Sequence, residues 1–384
     1  MNLLYCVQRL RHEKEARSLW ADAICINQRD YEIEWDAFNL RATYIQWSCI
    51  EQTKKYALGV YRLYEIGTMH FWDATEDLTS ILDLARNCRA SDPRNKVYAL
   101  LSHRAFQEAM RTRHGKASIP IDYGLSCSTV YLEATKFLPL NEFPLDVLSS
   151  VGHVSDSIVG TISDDHNSIS WVPQWDSVYH ASPLNSNPRQ YDAAGHTEPQ
   201  LPQDGYELKV RGIRLDYIKW QSGVLREGNI ESKVSPDGGV KQLATIWNNV
   251  QSLENEGHSV KALLEKFCLT LNARNFRCSG KGIAALKETY GVGHAQRFVE
   301  TISPCCERCF FITERVYFGI GPRVTLPGDE LCVFFGGQVP FALRPCGGGR
   351  YKLCGECYVH GIIDGDIIEL WKEDELEDER FILI

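Results

Sequence analysis

Two Cys-x-x-Cys pairs, Cys306-Glu307-Arg308-Cys309 and Cys354-Gly355-Glu356-Cys357, offer the four thiolates that a structural zinc takes. Forty-four residues separate the pairs, far more than the compact spacing of a zinc finger. Alternation along a strand would also point Cys354 and Cys357 to opposite faces, unless a turn at Gly355 intervenes. The expectation is therefore buried free thiols and no metal, with a zinc-stapled interaction module as the alternative. A second constellation is Trp47-Ser48-Cys49-Ile50-Glu51, whose indole and carboxylate share a face if the segment is helical. Read from the residues alone, Trp47 is a core side chain and Glu51 a surface carboxylate. Asp92 and Arg94 flank Pro93 as an ion pair suited to fixing a loop, and Trp171 and Trp175 around Pro173 form a core staple. His360 beside Gly361 reads as a satisfied structural residue. Gly280-Lys281-Gly282 lacks the spacing of a phosphate-binding loop, and no Gly-x-Ser-x-Gly is present.

The elements that would carry these residues follow from periodicity. Residues 2–15 read as an amphipathic helix with Leu3, Leu4, Val7 and Leu10 on one stripe. A short apolar strand, Leu19–Ile26, follows and ends in the turn Asn27-Gln28-Arg29-Asp30. Helix then strand is half of a βαβ unit, so the chain is expected to begin inside a domain. Helices are expected over 78–88, stopped at Asp92-Pro93, then over 96–103 and 126–138. The last has Ser126 or Ser128 as N-cap and Pro139 as its stop. Residues 176–204 are rich in Ser, Asn, Pro, Gln and Asp without periodicity, a surface loop or linker. Alternation over 206–211 predicts a half-exposed strand, and helical patterns cover about 240–273 and 283–301. From Cys309 onward the pattern is short strands between glycine turns, which predicts a small β-barrel or strongly bent antiparallel sheet.

Composition narrows the function classes. The 384 residues, 44% hydrophobic and 24% charged, suit a globular protein of two or three domains. No apolar stretch approaches the roughly 18–20 residues of a membrane span, and no secretory signal or Asn-x-Ser/Thr sequon is present. Fourteen cysteines in such a chain read as intracellular thiols, so a cytoplasmic location is expected. The net charge of −9 is concentrated between Asp364 and Arg380, where nine acidic and two basic residues form a solvated run. Without a basic stripe, neither nucleic acid nor membrane is an expected partner.

The wording of three segments is more specific than their physics. Leu19-Trp20-Ala21-Asp22-Ala23-Ile24-Cys25-Ile26-Asn27-Gln28 closely resembles the signature strand of the fungal heterokaryon-incompatibility (HET) domain. Ser91-Asp92-Pro93-Arg94-Asn95-Lys96-Val97-Tyr98-Ala99-Leu100 and Ser170-Trp171-Val172-Pro173-Gln174-Trp175 follow in the family's order. Phe311-Ile312-Thr313, Gly319-Ile320-Gly321-Pro322, Pro327-Gly328-Asp329, Pro340-Phe341 with Leu343-Arg344, and Gly355-Glu356 with Tyr358-Val359-His360-Gly361 resemble the β-rich module that often follows it. The resemblance implies an α/β fold, an incomplete TIR-like, flavodoxin-like parallel sheet, followed by α+β with a small β-barrel-like module at the C-terminus. The segments then divide as a partial HET domain (1–104), its helical continuation (105–175), the loop or linker (176–205), a mainly helical stretch (206–302), and the β-rich module with its acidic tail (303–384).

The resemblance also implies a chemistry. Some TIR domains cleave the nicotinamide–ribose bond of NAD with a glutamate in a Trp-x-x-x-Glu pattern, which falls here on Trp47 and Glu51. Glu51 would bind ribose hydroxyls and stabilise the oxocarbenium-like charge, with Trp47 walling the pocket and Asp22 as a further cofactor-binding candidate. Ile50 stands where HET domains carry Gln. Two departures weigh against activity: the first strand and a helix–strand unit before Trp47 have no counterpart. Loss of central strands would remove most of a nucleotide pocket. The expectation is association with other HET-domain or recognition proteins, or with itself, in non-self recognition and programmed cell death. Catalysis and cofactors are not expected; NAD would be the substrate if activity survives.

Overall fold

The computed structural model describes residues 78–273, apart from 113–118, 139–144, 154–168, 185–190, 227–238 and some shorter stretches, and all of 303–384. The expected helix 2–15, strand 19–26, TIR-like sheet and helix 283–301 lie outside the described residues. The chain divides into two compact units, Met1–Leu138 with Gln174–Val178, and Pro139–Pro173 with Tyr179–Ile384. Trp171 and Trp175 therefore serve different units.

The described part of the first unit is helical: α1 (Leu78–Ala85), α2 (Asn95–Tyr98), α3 (Arg104–Thr112) and α4 (Cys127–Phe137). Leu78, Ile81, Leu82 and Ala85 recur at three- and four-residue spacing and are all buried. Ser126 caps α4 in extended geometry, its Oγ accepting the Thr129 N–H at 3.1 Å, which matches the expected start. Phe106 of α3 and Phe137 of α4 stack with centroids 6.1 Å apart.

The second unit is built on one long strand. After α5 (Asp146–Ser149) and β1 (Gln203–Asp204), β2 runs from Glu207 to Gln221. Two helices, α6 (Gly239–Gln251) and α7 (Val260–Leu271), follow. The expected single helical stretch is broken between them by a 3-10 turn and Gly257, whose φ of +93° only glycine adopts freely. Then come β3 (Arg308–Thr313), β4 (Phe318–Pro322), β5 (Glu330–Phe334), β6 (Phe341–Gly347), β7 (Arg350–Glu356), β8 (Tyr358–Val359), α8 (Asp366–Lys372) and β9 (Asp378–Leu383). The C-terminal part is thus a β-rich domain.

The pairings of five strands form a closed circuit. β2 pairs antiparallel with β9 through Leu208–Ile213 and with β5 through Gly212–Tyr217. β5 pairs β6, β6 pairs β7, and β7 meets β9 in parallel through Arg350 and Tyr351. Beyond the circuit, the end of β2 pairs β3, which leads to β4 and β8. Register shifts at Arg214/Asp216 and Ile218/Trp220 let one strand bend to serve four neighbours. Gly212 sits where β9 and β5 both pair with β2; a Cβ there would lie 2.5 Å from the Val333 carbonyl, so only glycine permits the approach. An aromatic series, Trp247–Phe267–Phe310–Phe318, ties α6 and α7 to β3 and β4 with successive centroids 5.3–5.6 Å apart.

Residues 191–199, expected within a surface linker, are a strap packed into this domain. Ala193 and Ala194 are fully buried in its core, and their N–H groups donate to Gln338 and Gly337 carbonyls at 3.1 Å. Pro199 fills the space beside Gly336, where a Cβ would come within 2.5 Å. The acidic tail forms α8 and β9, with Ile367, Ile368, Phe381 and Leu383 inward and Asp364, Asp366 and Glu369 outward. Among the described residues no helix is long and apolar enough to cross a membrane.

Candidate functional site: where the two Cys-x-x-Cys segments meet

The fold brings the two Cys-x-x-Cys segments together, but through the residues between the cysteines. Arg308 opens β3 and Glu356 closes β7, and their side chains, 2% and 3% exposed, meet at 2.5 Å. A second guanidinium nitrogen of Arg308 donates to the Glu356 carbonyl at 3.2 Å. The Leu184 N–H donates to the same carboxylate at 2.7 Å, so the pair joins the two sheet portions and a preceding loop. Burial pushes the Glu356 carboxyl above its usual range, while Arg308 and the Leu184 N–H pull it back. A fully desolvated pair of this kind demands several hydrogen bonds at once, which it has. Oppositely charged residues at the inner positions of the two motifs are the signal that sequence reasoning passed over.

The cysteines themselves are packing groups. Cys309, Cys354 and Cys357 are fully buried or nearly so, and Cys306 is half-buried. Gly355 adopts φ +139°, the turn that lets Cys354 and Cys357 both face one apolar cluster. Cys309 donates to the Arg323 carbonyl and Cys354 to Asp329, each at 3.6 Å. Burial pushes the Cys309 thiol up to about 12 and the Cys354 and Cys357 thiols well above their usual value. Thiols held protonated this way are poor nucleophiles. Among the described residues no group of three or more His, Cys, Asp or Glu is arranged to hold a metal ion.

In the first unit the Asp92-Pro93-Arg94-Asn95-Lys96 segment is a knot of side chains spent on backbone. Arg94 holds Asp92 in a bidentate pair at 2.9 and 2.6 Å and donates to the Tyr123 and Leu125 carbonyls, the latter at 2.8 Å. That hydrogen bond to Arg94 keeps the Asp92 carboxyl below its usual range. The Tyr131 hydroxyl donates to the Pro93 carbonyl at 2.9 Å. Lys96, 5% exposed, donates to the carbonyls of Ala85 at 2.9 Å, Arg86 at 3.0 Å, and Cys88, where α1 ends. Arg86, fully buried, stacks 4.6 Å above the Trp175 ring and donates to the Gln174 carbonyl at 2.7 Å. The expected loop-fixing role of Asp92 and Arg94 is therefore what this geometry performs.

Lys96→Met would keep the length of the stem and strip three carbonyls of their donor. Each buried carbonyl left without a partner costs about 1–3 kcal/mol, so a loss of roughly 3 kcal/mol is expected after partial rescue by water. Urea unfolding of the purified variant at neutral pH checks it. The backbone N–H of His360 donates to the Phe318 carbonyl at 2.9 Å. Glu51, Trp47 and Asp22 lie outside the described residues.

Residues 283–383 match the model of the Het-6 β-barrel domain. The chain is 39% identical over 77 residues to heterokaryon incompatibility protein 6, OR allele, of Neurospora crassa. That alignment covers 19% of this chain and 11% of the relative. No solved structure gives a match. The likeness to fungal heterokaryon-incompatibility proteins thus rests on a domain match over about the last quarter of the chain and on an alignment that spans about a tenth of the relative's length.

Proposed function

We propose that this protein acts in fungal non-self recognition and the programmed cell death that follows it, by associating in the cytoplasm with HET-type recognition proteins or with a second copy of itself. The observation that carries this reading is the coincidence of the Het-6 β-barrel match with a partial likeness to an incompatibility protein. The three ordered HET-like segments of the sequence support it independently. What they position in the described residues is scaffold: Lys96, Arg94 and Arg86 are turned toward backbone carbonyls. Association needs a stable, well-defined surface, and such a scaffold serves that end.

The competing enzyme is an NAD glycohydrolase using Glu51, favoured by its four-residue spacing from Trp47. Incubation of the purified chain with NAD decides between them. No nicotinamide release above the background of a heat-inactivated sample is expected, together with a complex between tagged and untagged copies, or with a HET-type protein, in a pull-down. Release that Glu51→Ala abolishes would overturn the non-catalytic reading.

A further inference from the structure

The strap, residues 191–199, lies in a groove with two walls. One is the β5–β6 loop at Gly336, Gly337 and Gln338, and the other is the run from Ile363 into α8. Its hold on both is through backbone. The Asp192 N–H donates to the Ile363 carbonyl at 3.0 Å, while the Ala193 and Ala194 N–H groups reach the opposite wall. Thr197 returns the contact, its Oγ1 accepting the Gly336 N–H at 3.0 Å and donating to the Ala194 carbonyl at 2.9 Å. Main-chain bonds to a segment whose side chains fill small pockets are how folded domains hold foreign peptides.

The groove is shaped for small residues. Gly336 and Gly365, one on each wall, adopt φ of +80° and +88°. A Cβ on Gly365 would lie 3.3 Å from the Gly195 Cα, and one on Gly195 would lie 3.3 Å from the Ile368 Cβ. Between Tyr191 and Pro199 the buried side chains of the strap are two methyl groups, those of Ala193 and Ala194, so it contributes little apolar area for its length. The circuit of five strands closes through its own pairings, so the strap can leave without opening an edge in it. Tyr191 is the pivot: its hydroxyl donates to the Ala273 carbonyl and its ring lies 5.9 Å from that of Tyr358.

Charge sets the strap against its seat. Asp192 touches Ile363 and Gly365, whose neighbours Asp364 and Asp366 are exposed carboxylates, and Glu369 follows further along α8. A segment with Lys or Arg in place of Asp192 would meet this acidic rim with the opposite charge.

We propose that the strap is a built-in occupant of a peptide groove, and that the external ligand is an extended segment of a partner protein with two adjacent small residues after a basic one. The strap covers the groove until such a segment displaces it from Ala193 onward. Neither self-association nor a HET-type partner is required, so failure here would leave the association of whole proteins untouched.

Fluorescence anisotropy on the full chain tests this, with a labelled peptide of residues 191–199 and the same peptide carrying Asp192→Lys. Ala193→Glu with Ala194→Glu puts two carboxylates where the core admits methyl groups, so the strap of that variant vacates the groove. The variant, checked for cooperative urea unfolding, is expected to bind the natural peptide at least about tenfold more tightly than the natural chain does, because no tethered competitor remains. The Asp192→Lys peptide should bind it about two- to fivefold more tightly still, an advantage that about 0.5 M salt removes. A folded variant that binds neither peptide, equal binding by the variant and the natural chain, or no preference for the Asp192→Lys peptide would overturn the proposal. Should the variant not fold, amide exchange on the natural chain decides it. The Ala193, Ala194 and Gly336 amides are then expected to be at least about tenfold less protected than those of Ile213 and Val333 on the β2–β5 pair, since the strap opens before the circuit does. Equal protection would make the strap an inseparable part of the core and sink the idea.

Discussion

A polypeptide of residues 283–384, which contains the segment that matches the Het-6 β-barrel domain, is expected to be unfolded on its own. β2 lies outside that segment, yet it pairs with β3, β5 and β9 and closes the circuit of strands. Without β2 the facing edges of β5 and β9 are both exposed, and β3 loses its partner at Phe311–Thr313. The core loses Leu208, Val210, Ile213, Leu215 and Ile218 at once, as well as Ala193 and Ala194 of the strap. Burial of each large aliphatic side chain contributes about 1.5–3 kcal/mol, so the loss of these five is comparable with the roughly 5–15 kcal/mol by which a whole domain is stable. Circular dichroism and urea titration of the fragment beside the full chain test this. The full chain should unfold cooperatively and the fragment should show no transition. A cooperative transition in the fragment would mean that β2 is an accessory strand and that the pairings of β5 and β9 can be made another way.

Why β2 was only partly legible in the sequence is a matter of period. Alternation is clear from Tyr206 to Arg211 and then fails, because Gly212 carries no side chain and the register shifts at Arg214/Asp216 and Ile218/Trp220 reset the pattern. A strand that changes partners along its length exposes different faces in turn, so a single period cannot describe it. The strap was hidden differently. Ala193 and Ala194 are small residues in a polar stretch, and they are buried because a groove accepts them, which no local pattern encodes. The acidic run concealed α8 for the opposite reason: Ile367 and Ile368 pack inward while the carboxylates around them remain in water. What local chemistry decides was readable, as with Ser126 at the start of α4 and the Asp92–Arg94 pair around Pro93. At the candidate site, the cysteines drew attention through their spacing. The groups that meet are Arg308 and Glu356, far apart in sequence and brought together only by the tertiary fold.

Arg308→Ala is expected to destabilise the second unit by about 3–5 kcal/mol, because it leaves a carboxylate buried with its main partner gone. Glu356→Ala should cost as much, since it strands the guanidinium and also frees the Leu184 N–H that the carboxylate now holds. The informative variant is the double replacement Arg308→Met with Glu356→Leu. A buried ion pair exchanged for apolar groups of similar volume is often neutral or more stable by about 1–4 kcal/mol, because two desolvation costs vanish together. A double-mutant cycle by urea unfolding at neutral pH should therefore show strong coupling, with the double variant more stable than either single one. If the two single losses simply add, the pair is not the unit that the 2.5 Å contact makes it, and each charge is held by its other neighbours. Coupling would instead establish that the junction between β3 and β7 depends on one buried contact. The residues between the cysteines, rather than the cysteines, would then hold the two motifs together, for a reason independent of any metal.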